Sequence, residues 1–122
     1  MAKVWIANYA GHPYDQAEKF GELTYITRGY VSLGNLDRLT YGVVERVLET
    51  EPDDYLLLSG LCIIGVLAAL AMFTRHGRVQ ILHWDKKEED YQVVTLKRGQ
   101  IEKMFDVLQI REAEDKWTAQ NE

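Results

Sequence analysis

Apolar runs and charged or small-residue breaks alternate along this chain, and their period shifts from two to nearly four and back. Residues 3–8, KVWIAN, favour a pleated surface and end on a polar side chain, which predicts a first strand. Tyr9-Ala10-Gly11-His12-Pro13-Tyr14 predicts a loop, and residues 15–20 a short helix with Asp15 near its start. Residues 22–27, ELTYIT, predict a second strand. Arg28-Gly29 follows, and then an extended stretch, 30–33, that suits either a bent strand or a hairpin. Asn35 is placed to cap a helix whose stripe is Leu36, Leu39, Val43, Val47 and Leu48, with Asp37, Arg38, Glu45, Arg46 and Glu49 largely elsewhere. Glu51-Pro52-Asp53-Asp54 ends that helix.

The stretch 53–85, DDYLLLSGLCIIGVLAALAMFTRHGRVQILHWD, organises the rest. Residues 55–58 have the profile of a buried strand closed by the small turn Ser59-Gly60. Residues 61–74 are apolar all round, contain good helix formers, and stop at Arg75-His76-Gly77. Residues 79–84 predict the next strand. Strand, tight turn, helix and strand make a crossover unit that sets Ser59-Gly60 at the sheet edge where α/β folds take ligands. After the charged turn KKEED, residues 91–96 predict an antiparallel strand, because five residues are too few for a parallel crossover. Ile101, Met104, Phe105 and Leu108 fall at helical spacing, so a last helix is expected to pack on the sheet. The expected fold is a single Rossmann-like α/β domain, residues 1–110. Its sheet is mainly parallel with an antiparallel C-terminal strand, it carries three to four helices, and a polar tail, 111–122, follows.

Residues 55–73 are also close to the length of a membrane span, and Arg75 and Arg78 would flank it. The strand profile before Ser59-Gly60 and the alternation of the flanking segments argue for one compact domain instead. A helix of 61–73 that is apolar on every side then needs a second cover, for which a partner copy is the economical choice, giving a homodimer or higher homo-oligomer. The formal net charge of −5 and a pI near 5.2 argue against a surface that coats duplex nucleic acid, while leaving room for a local pocket that holds one compact anion. Cys62, the single cysteine, reads as a small core residue and fits a reducing cytosol. The first residues lack the apolar core and cleavage site of a secretory signal, so a cytoplasmic location is expected. Three histidines and one cysteine show no zinc spacing, and neither a Walker-type loop nor a GxSxG elbow is present, so no metal or cofactor is expected.

If the first four strands are parallel, residues 8–14, 27–29, 59–60 and 84–85 converge on one rim. Gly60 lets a ligand approach the backbone, Ser59 adds a hydroxyl, and the amides opening the following helix favour an anion. Arg28 can pair with a phosphate through its planar fork. Asn8, Gly11 and His12 lie on a loop able to reach over a base, and Tyr9 or Tyr14 can stack on it. His12 is the only acid–base candidate for cleaving a phosphodiester. Trp84 and Asp85 complete the rim, Asp85 as an acceptor for a ribose hydroxyl. Each has a plainer reading: a tight strand-to-helix turn for Ser59-Gly60, an exposed arginine for Arg28, a loop histidine for His12 and a turn carboxylate for Asp85. His76-Gly77-Arg78 falls on the opposite edge, as a helix end.

The segments NYAGHPYDQAEKFG, DDYLLLSG and HGRVQILHWD followed by YQVV resemble a family of small phage and prophage proteins across most of residues 3–96. More distantly, the Asn loop with Gly-His-Pro and the Ser-Gly turn before an apolar helix are similar to CRISPR-associated Rossmann-like proteins of the ring nuclease type, which bind or cleave cyclic oligoadenylates across a dimer interface. That resemblance implies ligand-facing roles for Asn8, Gly11, His12, Ser59 and Gly60. The expected function is binding of a nucleotide-type ligand, such as a cyclic oligonucleotide immune signal that a phage would sequester in the host cytoplasm. Cleavage of that ligand ranks lower because no acid–base pair is evident. A non-enzymatic structural or interaction protein of a phage is the alternative from another class.

Overall fold

The computed structural model describes residues 1–11, 13–60 and 62–121. Five strands form one sheet in the order β2-β1-β3-β4-β5: β1 (Lys3–Tyr9), β2 (Glu22–Arg28), β3 (Tyr55–Leu57), β4 (Arg78–Asp85) and β5 (Asp90–Lys97). The first four run parallel, and only β4 and β5 are antiparallel, joined by the short charged turn. The expected α/β class and mixed sheet are therefore present. Among the described residues there are also three α-helices, α1 (Leu36–Val47), α2 (Cys62–His76) and α3 (Arg98–Asn121), and a 3-10 helix (Asp15–Phe20).

Alternation along β1 divides the core between the two faces of the sheet. Trp5 and Ala7 join Ile26, Leu56 and Val79 under Val43 and Val47 of α1 and Ala68 and Met72 of α2. Val4 and Ile6 join Leu57 and Leu82 under Tyr14 and Ala17, from the loop and the 3-10 helix. Near-continuous burial of β1 from Val4 to Asn8 is what a central strand covered on both faces requires. The cap at Asn35 is present, with Oδ1 accepting from the Arg38 amide at 3.0 Å. Of the predicted α1 stripe, Val43 and Val47 are buried, whereas Leu36 and Leu48 are exposed.

The run 55–73 is broken into a strand and a helix, and no helix among the described residues is long and apolar enough to cross a membrane. The membrane-span reading fails because Ser59-Gly60 reverses the chain between those two elements. Gly77 closes α2 as expected, with positive φ and its amide donating to Phe73 O at 2.8 Å.

Asp54, nearly inaccessible, anchors the amino edge of the sheet. Its carboxylate accepts from the Lys3 amide (2.9 Å), the Trp5 indole (2.8 Å) and the Glu51 amide (2.9 Å), so it ties the start of β1 to the turn before β3. Beside it, Thr50 donates to Val47 O at 2.6 Å and its Oγ1 lies 2.8 Å from His76 Nε2. With the hydroxyl proton committed to Val47, the imidazole is the donor of the second bond.

The expectation that the last helix packs on the sheet is not met. The helix is longer than the apolar stripe 101–108 suggests, continuing to Asn121, and none of its residues is buried. Its root alone is fixed: the Arg98 guanidinium donates to Thr74 O (2.8 Å), a carbonyl left open at the end of α2, and adds a second donor at 3.0 Å to Phe73 O, which already accepts from Gly77.

Candidate functional site at the carboxyl rim of the sheet

Four parallel strands deliver their carboxyl ends to one rim: Arg28 from β2, Asn8 and Tyr9 from β1, Ser59 and Gly60 after β3, and Trp84 and Asp85 from β4. The connections from β1 and β3 lead to opposite sides of the sheet, since β2 flanks β1 on one side and β4 flanks β3 on the other. The gap between the ends of β1 and β3 is thus the point where strand order reverses, the position at which open α/β sheets form a crevice.

Asn8 floors that crevice. It is buried, and its Oδ1 accepts from Thr27 Oγ1 at 3.2 Å, a hydroxyl that also reaches Ala7 O at 2.8 Å. Gly60 packs directly on its amide. A β-carbon at position 60 would stand 2.7 Å from both Asn8 Cβ and Asn8 Nδ2, and φ of +82° there is costly for any residue with a side chain. Glycine at 60 therefore serves two requirements at once: the reversal that starts α2 and the close approach of backbone to the Asn8 amide.

Ser59 joins the loop to the crevice, with its Oγ 2.6 Å from Tyr14 Oη. The Tyr9 ring leans on Tyr14 with centroids 5.6 Å apart, so the loop is held to the rim by aromatic contact as well. Two hollows flank this link. One, of about 260 Å³, is lined by Pro13, Tyr14, Asp15, Gln16, Trp84 and Tyr91; the other, of about 200 Å³, lies along Ser59, Gly60 and Cys62 at the amino end of α2. In the first, Trp84 meets Tyr91 edge to face with centroids 5.0 Å apart. Burial pushes the Tyr91 hydroxyl above its ordinary pKa, so it stays a neutral donor at physiological pH.

The remaining predicted residues are less centrally placed. Arg28 is exposed on edge strand β2, with its guanidinium 5.9 Å from the centre of the Tyr25 ring. Gly11 has φ of +83° with open space around it. Asp85 accepts from the amides of Lys87 (2.9 Å) and Glu88 (3.1 Å) and from Gln92 Nε2 (2.7 Å), which spends most of its acceptor capacity on the β4–β5 turn. His12 lies outside the described residues. Sequence reasoning passed over Tyr91 as a site residue, although it stands opposite Trp84 in the hairpin register and can be counted off from the KKEED turn. It also passed over Thr27 as the partner of Asn8. Among the described residues no cluster of histidine, cysteine or carboxylate side chains has the makings of a metal site.

Comparison with known proteins gives one result that covers most of the chain. No curated protein and no solved structure matches it, and the likeness to CRISPR-associated proteins has no counterpart in the comparison. The family model for phage Pam3 gp32-like proteins matches residues 3–98, from the first residue of β1 to the first of α3. The matched stretch takes in every strand and the whole rim with Asn8, Ser59 and Gly60, and the chain belongs to the phage Pam3 gp32-like protein family.

Proposed function

We propose that this phage-family protein binds a nucleotide-type ligand in the crevice between the ends of β1 and β3, and holds it without turning it over. The observation that supports this most directly is the Asn8–Gly60 contact: a buried amide, oriented by Thr27, lies against a glycine at the point of strand-order reversal. A carboxamide there can donate to a phosphate oxygen or a base edge. The amino end of α2 beside Gly60 favours negative charge, and the aromatic hollow of Tyr14, Trp84 and Tyr91 suits a stacked base. Arg28 supplies a cation at the margin. A cyclic oligonucleotide immune signal, sequestered in the host cytoplasm, fits this chemistry.

Thermal-shift screening of mononucleotides, dinucleotides and cyclic oligonucleotides tests the reading, since a ligand bound only to the native state raises the melting temperature. The expected result is a shift with at least one of them, lost in Gly60→Val and reduced in Trp84→Ala, with ligand recovered intact after heat denaturation. Recovery of cleaved ligand would convert the binder into a nuclease, and no shift with any of them would remove the reading.

A second reading, a non-enzymatic interaction protein of the phage, is favoured by a separate observation: α3 carries exposed Met104, Phe105, Val107, Leu108 and Ile110 and buries none of them. Co-purification of a phage or host protein that is lost with Phe105→Glu, together with no nucleotide response, would favour it.

A further inference from the structure

The two edges of the sheet differ. On the β2 side, Arg46 of α1 donates from Nε to Tyr25 O at 2.9 Å and lies over the Tyr25 ring, so a side chain already occupies that edge. On the other side, β5 pairs with β4 along all 8 of its residues without a bulge, contains neither proline nor glycine, and carries charge only at its ends, Asp90 and Lys97. Val93, Val94 and Leu96, between those ends, are 44%, 40% and 41% exposed. One bond fixes the direction of the backbone groups. Arg98 N donates to Gly77 O at 2.8 Å, in register with the β4–β5 ladder, and antiparallel strands turn alternate residues toward each other. Residues 90, 92, 94 and 96 therefore bond to β4, while Tyr91, Val93, Thr95 and Lys97 aim their N–H and C=O groups away from the sheet. The Tyr91 amide is taken by Asp90 Oδ1 at 2.8 Å, and the Lys97 carbonyl, at the cap of α3, takes the first bond of that helix. What the edge leaves open is the amides of 93, 95 and 97 and the carbonyls of 91, 93 and 95.

That set is its own complement. Laid antiparallel on a second β5 about Val94, the amides of 93, 95 and 97 meet the carbonyls of 95, 93 and 91, and the reverse holds from the other copy. Neighbouring registers fit worse. Centred on Val93, Lys97 faces the turn residue Glu89, whose φ of 52° is not extended; centred on Thr95, the pairing needs the Lys97 carbonyl that α3 already uses. We propose that β5 pairs antiparallel with β5 of a second copy about a two-fold axis at Val94, so that the two sheets run into one. In that register Lys97 stands beside Tyr91 of the second copy and diagonal to its Glu89, whereas a parallel pairing would set Lys97 against Lys97 and Asp90 against Asp90. The second copy expected on α2 is thereby placed on β5. On α2 the residues Ile63, Val66 and Leu70 are exposed, but apolar contact alone selects neither direction nor register. The pairing lies two strands from the crevice between β1 and β3 and does not depend on what binds there.

Light scattering coupled to size exclusion, on the full chain, tests this. The expected result is a dimer that Val93→Pro turns into a monomer with the near-ultraviolet spectrum unchanged, since proline there removes only an N–H aimed away from the sheet. Val66→Glu on α2 and Phe105→Glu on α3 leave it a dimer. In a Cys62→Ser background, Val94→Cys sets two thiols across the axis on a non-hydrogen-bonded pair, with Cα atoms about 4.5 Å apart and within disulfide reach, and copper-catalysed air oxidation links most of the chains. Leu96→Cys in the same background stays largely unlinked, because its copies stand about 13 Å apart at about 3.3 Å per residue. The cysteine variants read the register even where the proline perturbs the strand. A monomeric wild type, a dimer indifferent to Val93→Pro, a dimer lost with Val66→Glu or Phe105→Glu, or Leu96→Cys linking as readily as Val94→Cys would each overturn the proposal.

Discussion

The indole of Trp5 donates to Asp54 Oδ2 at 2.8 Å, across a sequence separation of 49. Both groups are almost wholly shielded from water, and the same carboxylate takes the amides of Lys3 and Glu51. Asp54→Ala strands three donors, two of them on the backbone, and is expected to cost about 3 kcal/mol. Asp54→Asn keeps the shape but turns one acceptor into a donor facing donors, so it recovers little. Urea unfolding of both variants, with unchanged m, is the measurement; a loss below about 1 kcal/mol in Asp54→Ala would show that the pin is dispensable.

Gly60 and Gly11 share nearly the same φ, +82° and +83°, but not the same surroundings. Gly11→Ala is expected to cost about 1 kcal/mol, the strain of a left-handed alanine in open space. Gly60→Ala adds the clash with Asn8 and is expected to cost about 3 kcal/mol while closing the crevice. Equal losses in the two variants, read by denaturant midpoint, would mean that the Asn8 amide yields freely to a methyl group.

Tyr14→Phe and Ser59→Ala each remove the 2.6 Å link between loop and rim. The expected loss is about 1 kcal/mol in either, and no more in the pair, since one bond cannot be lost twice. A double-variant loss equal to the sum of the singles would show that the two hydroxyls act independently.

His76 is held below its ordinary pKa first by burial and then by the charge of Arg75. A base with a lowered folded pKa takes up its proton more readily in the unfolded chain. Its contribution is therefore complete above about pH 6.5, the unfolded value, and declines as the pH falls below it. Because the ring is partly exposed, the effect is expected to be only a few degrees in melting temperature between pH 7.5 and 5.5, and to shrink in His76→Gln. A wild-type slope of the opposite sign would contradict the assignment.

Trp84→Ala removes the exposed wall of the aromatic hollow, and Arg28→Ala the marginal cation. If a base stacks there, Trp84→Ala is expected to weaken nucleotide binding about tenfold or more, since one stack is worth about 1–3 kcal/mol. Arg28→Ala is expected to have the smaller effect and to carry most of the salt dependence. Calorimetric titration separates the two, and equal affinity in Trp84→Ala would move the base elsewhere.

The strands were legible because short runs of strand-favouring residues such as KVWIAN and ELTYIT are bounded by loops, and the parallel order followed from the helix-bearing crossover within residues 55–84. The rim was legible for the same reason: parallel strands bring their carboxyl ends together whatever their side chains. Asp54 was not, because the pair Asp53-Asp54 reads as a solvated turn, and only the fold shows one of the two turned inward to an indole. Nor was the fate of α3. The spacing of Ile101, Met104, Phe105 and Leu108 states that a face wants cover, but period alone is indifferent to whether the cover is the same sheet or another molecule.

Four strands aimed one way give the sheet two unlike poles. Asn8 and Gly60 occupy one, and Arg98, clamped on the last turn of α2, roots the exposed helix at the other. A ligand in the crevice at the first pole would therefore leave the exposed helix at the second sterically free. A titration should then saturate at one equivalent per chain, with the same midpoint whether the protein is dilute or concentrated.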